Sequence, residues 1–285
     1  MNANNLSWLR RAPLLLAAAA LAACSSDQQP APVAQQPQAW TLVVSVSKTD
    51  APIVDATRGV GTNDDGETLV SRWTAGTTVE VYDEEDNRVG TLLADASESG
   101  TTLLRGTITG ASYTPGESTL TLYSPAKTLD YSGQTGTVSS ISAKDFVTGT
   151  ITVTSVNMRG NMMATTGCTF QRLQAFTKFT FDFAMKSLQI TADGLVGSPL
   201  TVTAASETAT YYVALRNTEP GVKKQYSFYG TSADGTTTFI GTKYGTLQHG
   251  DYGRTSVTLQ PSIENGNTST WGATPDEENL GDIYL

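Results

Sequence analysis

Thr78-Val79-Glu80-Val81-Tyr82 puts an apolar side chain at every second position and runs directly into the acidic turn Asp83-Glu84-Glu85-Asp86-Asn87. Successive side chains of a strand point to opposite faces, so this alternation describes one buried and one wetted face. The same pattern recurs in both directions along the chain. Leu42-Val43-Val44-Ser45-Val46 lies upstream. Residues 102–108 and 118–123 follow downstream, separated by the turn Thr114-Pro115-Gly116, and then residues 149–153. A second series begins after Gly167, with candidate strands at 175–183, 187–192, 200–203, 211–215, 225–229 and 256–259. Its first member alternates like a core strand, with Phe179, Phe181 and Phe183 on one face. Beyond residue 40 no stretch keeps apolar residues at i, i+3, i+4 and i+7 for three turns, which argues against long amphipathic helices. Strands roughly ten residues apart with Gly-rich turns are the pattern of β-sandwiches. The expected fold is therefore all-β, with two tandem β-sandwich domains over residues 40–165 and 166–262, each of about seven strands.

Composition agrees and removes several functional classes. The 285 residues include 45 Thr and 24 Ser but only 16% charged residues, and β-branched Thr suits a half-wet pleated surface. A net charge of −9 opposes binding to nucleic acid, whose phosphates need a basic patch. His249 is the single histidine, which rules out any site needing two imidazoles, and it sits in the turn Gln248-His249-Gly250-Asp251. The acidic runs 83–87 and Asp276-Glu277-Glu278 lack the spacing of a 12-residue calcium loop and read as solvated turns, so neither metal nor cofactor is expected. Most other carboxylates also fall in turn-like contexts, and no enzymatic activity is expected. Trp40 and Trp73 read as core residues in preference to a sugar-stacking platform.

Residues 1–23 have the form of an export signal. Arg10 and Arg11 precede a short apolar run of Leu and Ala over 13–21, too short to span a bilayer as a mature helix. Leu21-Ala22-Ala23-Cys24 resembles the lipobox of bacterial lipoproteins, which implies cleavage between Ala23 and Cys24 and acylation of the Cys24 thiol. Several acyl chains on one residue would tether the protein to a membrane without spanning it. Residues 24–39, rich in Gln, Pro, Ala and Ser, read as a flexible tether. With Cys24 lipidated, Cys168 stands alone and is expected to be a small apolar packing residue.

Several segments taken in order resemble the fimbrillin family, the type V pilus subunits of Bacteroidales. They are the stretch from Trp73 through Tyr82; Asp130-Tyr131-Ser132-Gly133-Gln134-Thr135-Gly136-Thr137; residues 170–183; Tyr211-Tyr212-Val213-Ala214-Leu215; and Leu247-Gln248-His249-Gly250-Asp251-Tyr252. The resemblance implies a transthyretin-like second domain and a lipidated precursor at the outer membrane and cell surface. An arginine-specific surface protease would cut the loop after the first strand, and a strand from another pilus subunit would fill the groove left behind. The matching bond here is Arg58-Gly59, in a Gly-, Asp- and Asn-containing segment expected to be exposed, where nicking concentrates. The displaced first strand would carry Leu42, Val44 and Val46. Arg72 is a weaker candidate because Trp73 beside it suggests packing.

The tail 263–285 departs from the family pattern. Its large apolar residues are few and Pro275 interrupts them, although Leu280, Ile283 and Leu285 fit a short terminal strand. Such a strand would either donate to a neighbour or close its own domain. The expected role is thus structural or adhesive, with other pilus subunits, the protease and outer-membrane lipid as partners. The competing reading is a surface glycan-binding lipoprotein of a nutrient-uptake system.

Overall fold

The computed structural model describes residues 38–48, 72–95, 100–110 and 112–262. Their regular secondary structure is almost entirely strand, as the alternation requires. The first sheet comprises β1 (Gln38–Lys48), β2 (Thr78–Tyr82), β3 (Arg88–Ala94), β4 (Thr101–Gly110), β5 (Thr119–Ser124), β6 (Val147–Asn157), β7 (Met162–Thr165) and β8 (Cys168–Arg172). Its strands run β4-β3-β2-β5-β6-β7-β1, and β1 then pairs back onto β4. The expected sandwich over the first half is corrected on this point: seven strands close into a barrel-like ring, because β1 has hydrogen-bonding partners along both edges. Inward residues of every strand in the ring, among them Leu42, Val81, Leu92, Leu104, Leu122 and Ile151, are buried together.

The second sheet contains β9 (Ala175–Thr191), β10 (Leu200–Leu215), β11 (Lys223–Thr231), β12 (Thr238–Thr246), β13 (Tyr252–Val257) and β14 (Gln260–Ser262). It runs β10-β9-β11-β12-β14, with β13 parallel to the first half of β9. The sequence segments 175–183 and 187–192 are one continuous strand here. That strand exchanges β13 for β11 as its neighbour halfway along, while β10 follows its other edge throughout and absorbs the change by register shifts between Thr203 and Thr210. The alternating phenylalanines behave as the pattern requires. Phe179 and Phe181 are buried and stack at 6.0 Å, Phe228 meets both edge-on, and the half-buried Phe183 stacks on Phe239 at 4.9 Å.

Two cores result, and the chain passes between them at residues 173–175. Phe170 packs in the first and Ala175 in the second. The first half also sends Tyr131, Ile141 and Phe146 into the second core. Ile141 lies within α1 (Val138–Ser142) and the other two flank it; the N-cap Thr137 accepts from the Ser140 amide in a reciprocal capping box. The Asp130–Thr137 stretch thereby acquires a structural explanation. Gln134 is buried and clips the backbone of Ala214 from both sides, while Gly136 takes φ +74° with the Tyr211 ring where its Cβ would be, at 2.7 Å.

Candidate functional site

The site is the seat of β1. On one edge β1 is antiparallel to β4, from Gln38 opposite Gly110 to Ser47 opposite Thr101. On the other it runs parallel to two short strands placed end to end, with Thr41 and Leu42 beside β7 and Val46, Ser47 and Lys48 beside β8. Gly167 bridges the gap between them, and a Cβ there would stand 2.8 Å from the Ser45 carbonyl oxygen, so the close approach demands glycine. None of these partners is β1's neighbour in sequence. The strand is held as an inserted element would be held, by two ladders and a row of pockets.

Its inward residues are Trp40, Leu42, Val44 and Val46, with exposures of 1%, 0%, 2% and 2%. Each contributes about 1.5–3 kcal/mol through burial. Leu42, Val44 and Val46 were legible as the alternating run; Trp40, which meets Tyr113 edge-on at 6.4 Å, extends it by one pocket.

Polar contacts fix the register at both ends. Gln38 Nε2 donates to Asn161 Oδ1 at 2.6 Å, and the Thr41 amide donates to the Asn161 carbonyl at 2.7 Å. At the other end Lys48, the fifth residue of the inward face, places Nζ 2.7 Å from Asp145 Oδ2 and 4.6 Å above the Trp73 ring. Asp145 Oδ1 accepts from Arg172 Nε at 3.0 Å. All three side chains are largely buried, at 8% exposure for Lys48, 9% for Asp145 and 1% for Arg172. Burial pushes the Asp145 carboxyl up, but Lys48 and Arg172 together outweigh it and hold the group below the usual carboxylate range. Phe146, the next residue, packs edge-on against Tyr131 in the second core at 5.3 Å. The end of β1 is therefore latched to a segment that the second core holds in place. Nothing in the sequence signals this cluster, since Lys48 and Asp145 are 97 positions apart.

The remaining sequence-derived residues divide clearly. Ala23, Cys24, Arg58, Gly59, Leu280, Ile283 and Leu285 lie outside the described residues. Arg72 is exposed while Trp73 beside it is buried and edge-on to Phe170 at 5.4 Å. Cys168 is half-buried beside Val46, and burial pushes its thiol up to about 11. His249 is held by the Asn217 carbonyl at 3.1 Å, with burial pushing its pKa down. In the 83–87 turn, Asp83 accepts from the Asn87 amide, Glu84 from Thr119, and Asp86 pairs with Lys127. These carboxylates hold the hairpin. A cleft of about 490 Å³ opens between residues 129–133 and 196–201, lined by Tyr131, Pro199 and Leu200 with Asp130 as its one carboxylate.

No protein-family model matches the chain, and no curated protein matches it. Among solved structures it is similar to a candidate cell-adhesion protein from Bacteroides fragilis NCTC 9343, at 14% identity over 84% of this chain and 100% of that one, with a TM-score of 0.36. A second candidate cell-adhesion protein, from Bacteroides uniformis ATCC 8492, is 10% identical over 78% and 97% of the two chains, with a TM-score of 0.39. A shaft pilin from Lactobacillus rhamnosus GG is 10% identical over 80% and 100%, with a TM-score of 0.30. Scores this low set no residue-by-residue correspondence.

Proposed function

We propose that this chain is a structural or adhesive subunit of a cell-surface pilus. It is made as a precursor lipidated at Cys24, matured by arginine-specific cleavage at Arg58-Gly59, and assembled by donor-strand exchange at the seat of β1. The observation that carries this reading is the double-sided insertion of β1 between β4 and the β7/β8 pair. Residues 49–77 separate β1 from β2, so a cut after Arg58 leaves both strands whole. Departure of β1 would expose two strand edges and a row of apolar pockets, and a strand from a neighbouring subunit would satisfy both by β-augmentation. The fimbrillin resemblance implies a transthyretin-like second domain.

The test is brief trypsin treatment of the protein lacking residues 1–23. The new N-terminus is read by mass spectrometry, and the product is run unboiled on a denaturing gel. Cleavage confined to Arg58-Gly59 with a ladder of oligomers is expected for a subunit that pairs with itself; cleavage without a ladder is expected for one that needs a different subunit. Cuts scattered through the body, or resistance at Arg58, would remove the maturation step and favour a glycan-binding lipoprotein.

A further inference from the structure

We infer that the seat of β1 selects its occupant by charge as well as shape: it accepts a strand with four alternating apolar residues followed, two positions on, by a lysine or arginine, and residues 263–285 of a second copy are not that strand. This rests on the strand-exchange reading and specifies the partner. Trp40, Leu42, Val44, Val46 and Lys48 share one face of β1, so the cationic position is part of the same row as the four pockets. The row ends in a water-excluded niche formed by Asp145, Arg172 and the face of Trp73. In such a niche an ammonium is matched to the carboxylate and the indole face, and a donor lacking it replaces a desolvated ion pair with a mismatch. A donor with an acidic residue there sets two carboxylates against each other, which costs more.

Residues 263–285 are the obvious internal candidate for a donor, and they fail this specification. They contain no Lys or Arg, they carry Glu264, Asp276, Glu277, Glu278 and Asp282, and neither alternation through them strings four large apolar residues together. A second copy of this chain therefore does not fill the seat with this segment. In β1 the Gln38 side chain and the Thr41 amide meet Asn161 at the far end, and a donor that keeps this register places its cationic residue in the niche.

The experiment uses protein lacking residues 1–23, nicked at Arg58-Gly59 and incubated with fluorescent peptides, with retention measured after size exclusion. The peptides are residues 38–48, amidated so that no extra carboxylate reaches Asp145, its K48M and K48E forms, and residues 263–285. Native peptide is expected to exchange into the seat, K48M to bind on the order of a hundredfold more weakly, and K48E more weakly still. The 263–285 peptide is expected not to compete. Since the substitutions lie in the peptides, the folding of the protein is unaffected. Equal retention of the native, K48M and K48E peptides, or displacement of the native peptide by 263–285, overturns the inference while leaving strand exchange intact. Failure of even the native peptide to enter overturns both.

Discussion

The two halves of this molecule close their cores by different means. In the ring the last gap is filled by β1, whose partners β4, β7 and β8 all come from remote parts of the sequence. In the second sheet the main neighbours β9–β10 and β11–β12 are consecutive hairpin pairs, and the core between them is a network of contacting aromatic rings. A barrel closed by one remote strand can be opened by removing one element. A sheet built from consecutive hairpins around an aromatic core has no comparable single point of release. The molecule thus combines a half closed by one remote strand with a half built mainly from consecutive hairpins.

That contrast can be broken by experiment. Trp40→Ala and Phe179→Ala each delete a fully buried ring system and should cost about 3–5 kcal/mol. Hydrogen exchange should separate them: Trp40→Ala should deprotect amides of β4, β7 and β8 while sparing β9 and β10, whereas Phe179→Ala should deprotect β9, β10 and β11. Equal deprotection of both sheets by Trp40→Ala would mean that they unfold as one unit.

The latch sharpens the comparison because Asp145 belongs to the segment tied to the second core. Asp145→Asn leaves Lys48 and Arg172 without their carboxylate and should cost about 3 kcal/mol near neutral pH in a urea titration. Because the folded carboxyl is held below its unfolded value, its stabilisation is present above pH 4 and is lost as the pH falls through the lowered folded value. The gap between wild type and variant should narrow in strong acid. A gap constant down to pH 2 would show that the cost is not electrostatic.

Smaller effects mark the second half. Gly136→Ala meets both a positive φ and the Tyr211 ring and should lower stability by about 1–3 kcal/mol, measured by thermal unfolding. No change would show that the turn and the Tyr211 ring accommodate the added methyl. Asp251 has the opposite sign to Asp145. Burial raises its carboxyl from 3.8 to about 6, so stability declines as the pH rises from 4 to 6 and is level above that. Asp251→Asn should raise the Tm at pH 7.5 and leave it unchanged below pH 4; a variant less stable at pH 7.5 would refute the burial penalty.

Period-two alternation made much of the fold legible. The run at 78–82 corresponds to β2 residue for residue, and 102–108 falls inside β4. Two strands were not legible: Gly90 in β3, and Gly241 and Gly245 in β12, look like turns in sequence but lie within ladders. β7 and β8 are too short to show a period, and they owe their existence to the slot beside β1. The candidate site was half legible. Leu42, Val44 and Val46 were visible as one face, because alternation is local. Asn161, Asp145 and Arg172 were not, because their roles depend on chain crossing back from a hundred or so residues away.

By itself, then, the sequence determined the all-β character, the Thr-rich wetted faces, the aromatic face of β9 and the apolar row of β1, because each is a property of successive side chains along a strand. Only the tertiary structure decided that the first half closes into a ring and that β1 is the strand that closes it. It alone placed Lys48 against Asp145, where exclusion of water turns an unremarkable strand-end lysine into a buried ion pair.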